Sequence, residues 1–195
     1  MKNLRTTLLL LAIFLMAGMN SFAQTPKREF RGAWIQCVNG QFMGMSTQQM
    51  QRILSSQLDE LQRDGVNAII FQVRAECDAL YSSRYEPWSR FLTGEQGKAP
   101  SPYWDPLKWM IDECHKRGME LHAWLNPYRA KTKNTVNLAS NHIAITHPER
   151  VFSYDGLFIL NPGIAANRNY ICKVVDDIVR RYDVDGIHMD DYFYP

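Results

Sequence analysis

Three stretches of this chain read as strands that are apolar on one face and polar on the other, and helical stretches separate them. That combination leaves few folds open. In the segment 68–74, Ile69, Phe71 and Val73 share one face while Gln72 and Arg74 share the other. In 120–126, Leu121, Ala123 and Leu125 oppose His122, Trp124 and Asn126; in 184–190, Ile187 and Met189 oppose His188 and Asp190. The segment 30–37 is a further strand candidate. Ser46, with Gln49 three residues on in a capping-box arrangement, opens a helix with the apolar stripe Met50, Ile53, Leu54, Leu58 and Leu61, and Gly65 ends it. A second helix starts at Asp105-Pro106, carries Leu107, Met110, Ile111 and Cys114 on one side, and closes at Gly118. A third is expected over about 165–182, with Ile171, Val174, Val175, Ile178 and Tyr182 facing inward. The stretch 75–104 reads as a long loop, and the stretch after Asn126 as irregular chain.

Strands that alternate with helices pair in parallel, because each helix carries the chain back to begin the next strand. An open nucleotide-binding sheet would show a Gly-rich phosphate turn after its first strand. The turn here, Val38-Asn39-Gly40-Gln41-Phe42-Met43-Gly44, has no such pattern. The polar residues lie towards the C-terminal ends of the strands, where a (β/α)8 barrel keeps its catalytic groups. The expected fold is therefore α/β, a (β/α)8 TIM barrel. Such a domain takes about 250 residues, and this chain reaches Pro195 just past its fourth strand. It is expected to be the N-terminal half of a catalytic domain, truncated after about the fourth strand, with the first and fourth strand edges unpaired.

The first 23 residues read as a secretory signal: Lys2 and Arg5, an apolar run from Leu8 to Met16, then Ser21-Phe22-Ala23 with cleavage expected after Ala23. The run is too short to span a bilayer, so the expected location is secreted or periplasmic with no transmembrane segment. Removing Lys2 and Arg5 leaves 20 basic against 20 acidic residues. A near-neutral chain lacks the cationic field that a polyanion requires, which argues against nucleic acid and favours a neutral polymer. Cys37, Cys77, Cys114 and Cys172 are compatible with disulfides or with buried thiols; the sequence does not choose.

The chemistry concentrates in Asp185-Gly186-Ile187-His188-Met189-Asp190-Asp191. Glycoside hydrolysis needs one carboxylate against the anomeric carbon and a second carboxyl that protonates the leaving oxygen. Asp190, on the polar face with His188, is the candidate nucleophile or transition-state stabiliser. Asp191 turns onto the loop, either to bind a sugar hydroxyl or to cap the turn.

Four segments, Phe30–Ile35, Phe71–Tyr81, His122–Arg129 and Asp185–Pro195, resemble in order the strand-end motifs of the glycosyl-hydrolase-like family 10. The resemblance implies a (β/α)8 fold and hydrolysis of a polysaccharide, with bacterial cell-wall glycan as one target and no cofactor. It also implies a nucleophile at Asp190 and a general acid/base beyond Pro195. Arg74, His122, Trp124, Asn126 and His188 are expected to form a binding shell, with Arg74 holding Asp190 or a substrate oxygen and Trp124 stacking on a sugar. Tyr81, Tyr85, Trp88, Phe91, Tyr103 and Trp104 either form a sugar platform or pin the long loop. Two rivals remain: a metal-dependent hydrolase using His122, His188, Asp190 and Asp191, and a glycan-binding protein without catalysis.

Overall fold

The computed structural model of the protein describes residues 29–190, so the expected leader and Asp191 lie outside the described residues. The first strand is β1 (Gly32–Ile35), shorter than 30–37 at both ends. Helix α1 (Thr47–Arg63) follows, with Ser46 and Gln49 exchanging the two capping-box hydrogen bonds. It buries Met50, Leu54 and Leu58, each worth about 2 kcal/mol relative to exposure. Ile53 stays 38% exposed, so the buried stripe is narrower than its periodicity implied. Gly65, at φ 82, takes the left-handed conformation that turns the chain into β2 (Ala68–Arg74). A short helix α2 (Arg90–Thr93) interrupts the long loop, and α3 (Pro106–Lys116) begins as expected at Asp105, whose side chain accepts from the Lys108 N–H. Strand β3 (Glu120–Leu125) comes next.

The stretch after β3 is not irregular. It contains β4 (Arg129–Lys131), a one-turn helix α4 (Ile143–Thr146), β5 (Val151–Tyr154) and β6 (Leu157–Leu160), and the three strands form an antiparallel sheet in the order β4-β6-β5. Asp155 and Gly156, both at positive φ, form its two-residue turn. The strands are only three or four residues long, too short for an alternation to register as a periodic signal. The chain then runs through α5 (Ala165–Arg181) into β7 (Gly186–Met189).

Strands β1, β2, β3 and β7 form one parallel sheet in that order. Its register stacks the side chains of one face in levels. Trp34, Ile70, His122 and Gly186 stand side by side, and Gln72, Trp124 and His188 form the next level. The opposite face, with Ile69, Phe71, Val73, Leu121 and Ala123, joins Leu54, Leu107, Met110, Val174 and Ile178 from the helices in the main core. Tyr81, Phe91 and Trp104 are in that core as well, so these loop aromatics pin the loop; Tyr85 and Tyr103 are exposed. None of the cysteines is bridged, and burial pushes the Cys77 and Cys114 thiols up to about 12. Among the described residues no helix is long and apolar enough to cross a membrane.

The start of β7 is fixed by Asp185. Its carboxylate accepts from the Leu121 N–H at 2.7 Å and contacts His115 Nε2 at 2.8 Å, tying β7 to β3 and α3. The next residue must be small. A Cβ on Gly186 would lie 2.4 Å from His122 Nδ1. Gly186→Ala is therefore expected to cost about 1–3 kcal/mol as the imidazole is displaced. A urea midpoint equal to that of the wild type would contradict this close packing.

Candidate active site

The C-terminal ends of the parallel strands open onto a cleft of about 460 Å3 lined by Gln36, Val38, Gln72, Trp124, Asn126, Arg129 and Asp190. Three residues singled out from sequence, Trp124, Asn126 and Asp190, meet here. Asp190 is exposed, and its Oδ1 accepts a hydrogen bond from Trp124 Nε1 at 2.5 Å. Trp124 is 8% exposed and packs edge-on against Trp34, ring centres 4.7 Å apart. Its indole N–H thus orients the carboxylate, a role that reading it as a sugar-stacking ring did not anticipate. Asn126 is buried, and its Oδ1 accepts from Gln72 Nε2 at 3.0 Å.

Neither His122 nor His188 lines the cleft: His122 lies one level deeper than Trp124, and His188, level with Trp124, is packed against Trp34. Their rings stand 5.8 Å apart, and Trp34 packs on His188 at 5.0 Å. His122 contacts Glu120 Oε2 at 3.1 Å, and His188 Nδ1 is buried with no partner among the described residues. Among the described residues no three His, Cys, Asp or Glu side chains converge as a metal site.

Arg74 needs a correction. It neither holds Asp190 nor lines the cleft. The pairing register slips between Gln72 and Arg74, so Arg74 stands beside Leu125, and the alternation that faces Gln72 inward no longer applies to it. The guanidinium is fully buried and all five of its N–H groups are used. Nε and Nη2 reach the Glu86 carboxylate at 2.9 and 2.7 Å, Nη1 donates to the carbonyls of Asn126 and Pro127, and Nη2 also contacts Cys77 Sγ. Glu86 accepts in addition from the Tyr170 hydroxyl at 3.1 Å. Arg74 therefore fixes the backbone that carries Asn126, with its guanidinium occupied by protein partners.

Three polar cleft residues were absent from the sequence-based shell, Gln36, Gln72 and Arg129, as was the apolar Val38. Gln72 was visible as an inward-facing polar residue without an assigned role. Gln36 shares parity with Trp34 two residues earlier, a signal available in the sequence. Arg129 depends on β4, which the sequence did not reveal.

The sheet that presents Arg129 is held by Glu76. Its carboxylate accepts from the Thr132 N–H and hydroxyl at 3.0 and 2.5 Å, from the Thr135 hydroxyl at 2.6 Å and from Arg90 Nε at 3.1 Å. Burial pushes this carboxyl up, but the hydrogen bonds from Thr132, Thr135 and Arg90 outweigh it and hold it below its usual range. Asp78 beside it is pushed the other way, by burial and then by the charge of Glu76. Because the folded value of Glu76 is depressed, its contribution to stability is present above the unfolded value of about 4.3. That contribution is lost as pH falls through the folded value. Glu76→Gln is expected to flatten the decline of the urea midpoint below about pH 4.3. An unchanged acid slope would contradict this reading.

Comparison with known proteins agrees with this geometry. The family described as "Glycosyl hydrolase-like 10" matches residues 29–195. The chain is similar to glycosyl hydrolase YngK of Bacillus subtilis, 42% identical over 174 residues, covering 86% of this chain and 34% of that protein. It is also similar to glycosyl hydrolase DigH of Escherichia coli, 38% identical over 154 residues, covering 74% of this chain and 35% of that protein. The chain thus spans about a third of the length of these curated relatives. Among solved structures it is similar in fold to an alpha-L-fucosidase from Paenibacillus thiaminolyticus, with a TM-score of 0.58 and 15% identity over 84% of this chain and 23% of that one. A maltogenic alpha-amylase from Thermotoga neapolitana gives a TM-score of 0.53 and 14% identity over 84% of this chain and 39% of that one. With a parallel sheet whose polar strand ends carry Asp190, and with a family match over nearly all the described residues, this chain belongs to the glycosyl hydrolase-like 10 family.

Proposed function

We propose that this chain supplies one wall of a glycosidase active site, with Asp190 as the carboxylate that attacks or stabilises the anomeric carbon of a polysaccharide. The observation that carries the reading is the convergence of Asp190, Trp124, Asn126 and Arg129 in one cleft at the C-terminal ends of parallel strands, the face that bears catalysis in (β/α)8 enzymes. The Trp124 indole N–H holds one carboxylate oxygen in place. The other oxygen is then the one available to the sugar. Gln36 and Asn126 supply uncharged hydrogen-bonding groups suited to sugar hydroxyls. Retention or inversion would be set by the distance from Asp190 to the second carboxyl, about 5 Å or about 6.5–9.5 Å.

In the same reading the whole protein is secreted or periplasmic, and the rest of its barrel, including the general acid/base, closes over this wall. Bacterial cell-wall glycan strands are the first substrate to test. The whole protein incubated with purified strands is expected to release new reducing ends. Saturable binding of the strands with no new reducing ends would replace this reading with a non-catalytic glycan-binding one.

A further inference from the structure

The cleft has a polarity that the backbone just past β1 sets. Gln72 is fully buried, and its Oε1 lies 2.9 Å from the Cys37 backbone nitrogen and 3.3 Å from that of Val38. Backbone N–H groups only donate, so the amide end facing them must be the oxygen. Nε2 is then forced to the far side, where it meets the Asn126 side chain at 3.0 Å. A side-chain NH2 only donates, so Asn126 must turn its Oδ1 towards Gln72. Its Nδ2 is left facing the cleft that Asn126 lines.

We propose that Gln72 is a positioning residue that fixes Asn126 as a hydrogen-bond donor, so that this point of the cleft selects an acceptor oxygen of the sugar. The proposal rests on the glycosidase reading for its substrate but not for its geometry. Two amide side chains, each able to turn either way in isolation, are locked by two backbone donors in the turn that follows β1. Arg74 supports the same residue from the backbone side by holding the Asn126 carbonyl. Neither amide carries a net charge, so the cleft gains direction without an added desolvated ion.

The test is Gln72→Glu in the whole protein. The new carboxylate still accepts from Cys37 and Val38 but has no proton to give, so the Asn126 amide must turn over and donate to it. The cleft then presents an acceptor in place of a donor. KM for the glycan is expected to rise about tenfold, the value of one lost hydrogen bond with its partner left unpaired, while kcat changes by less than about threefold. Asn126→Asp, which keeps the bond from Gln72, is expected to raise KM by a similar factor.

Two readouts separate positioning from a structural role. The Asn126 side-chain amide protons should become protected from exchange in Gln72→Glu, because they point at the new carboxylate. The KM defect of that variant should also shrink as pH falls, because protonation restores a donor. The ionisable groups near this point are the buried Cys37 thiol, at 3.4 Å from Gln72 Oε1, Arg74 on the Asn126 carbonyl, Glu76, Asp78 and Arg90, whose charges reach Cys37, and Asp190 and Arg129 in the cleft wall. Wild-type exchange at Asn126 in Gln72→Glu overturns the proposal whatever the activity. Unchanged KM together with a lowered urea midpoint overturns it as well, because Gln72 would then matter only to stability. Protection of the Asn126 amide in a protein that neither binds nor cleaves glycan supports the relay and instead removes the glycosidase reading.

Discussion

Arg74→Met is expected to destabilise the protein by roughly 3–5 kcal/mol, the usual cost of removing one partner of a buried ion pair. Methionine fills much of the volume, so the loss is electrostatic more than steric. Glu86 would be left as a buried carboxylate whose remaining partner in that pocket is the Tyr170 hydroxyl. The carbonyls of Asn126 and Pro127 would lose donors in the same step. A domain of ordinary stability has about 5–15 kcal/mol in all, so this single change should remove a large share of it and lower the urea midpoint markedly. Replacing both partners, as Arg74→Met with Glu86→Gln, should recover part of the loss, because the uncompensated charge is gone. Equal destabilisation in the single and double variants would show that Arg74 acts by packing alone.

Asp190→Asn is expected to lower kcat for glycan hydrolysis by at least about 10^3-fold, some 4 kcal/mol of transition-state stabilisation. The substitution is nearly isosteric, and an asparagine Oδ1 can still accept from Trp124 Nε1, so the fold and the cleft shape should persist. What the substitution removes is the negative charge that the proposed mechanism sets against the developing oxocarbenium ion. Glycan binding and the urea midpoint should therefore stay close to wild type while turnover disappears. A drop of less than tenfold would move the catalytic role to another carboxyl.

Most of the sheet was legible from sequence because its signals are local and repeated. Ser46 with Gln49, Asp105 with Pro106, and Gly65 with Gly118 mark helix ends by backbone chemistry. The alternation in β2 and β3 marks which face meets the helices. Asp190, Trp124 and Asn126 followed from that alternation and do line one cleft. Arg74 obeyed the same alternation on paper and broke it in space, because a one-residue slip in pairing has no signature in either strand alone. His122 has the right parity but the wrong depth, which depends on the stagger of neighbouring strands, and His188 has the right depth but stands against Trp34. Arg129 was missed for a third reason: the strands β4, β5 and β6 that place it are stabilised by contacts with one another and by Glu76, a residue more than fifty positions earlier.

The role of Asp190 is tested most directly by covalent trapping. The whole protein would be treated with an activated 2-deoxy-2-fluoro glycoside of whichever sugar it releases, digested and mapped by mass spectrometry. If Asp190 is the nucleophile, a single glycosyl adduct appears on the peptide that carries Asp190 and is absent from Asp190→Asn. An adduct on a different carboxylate would contradict the assignment of Asp190 and shift the catalytic centre away from this cleft.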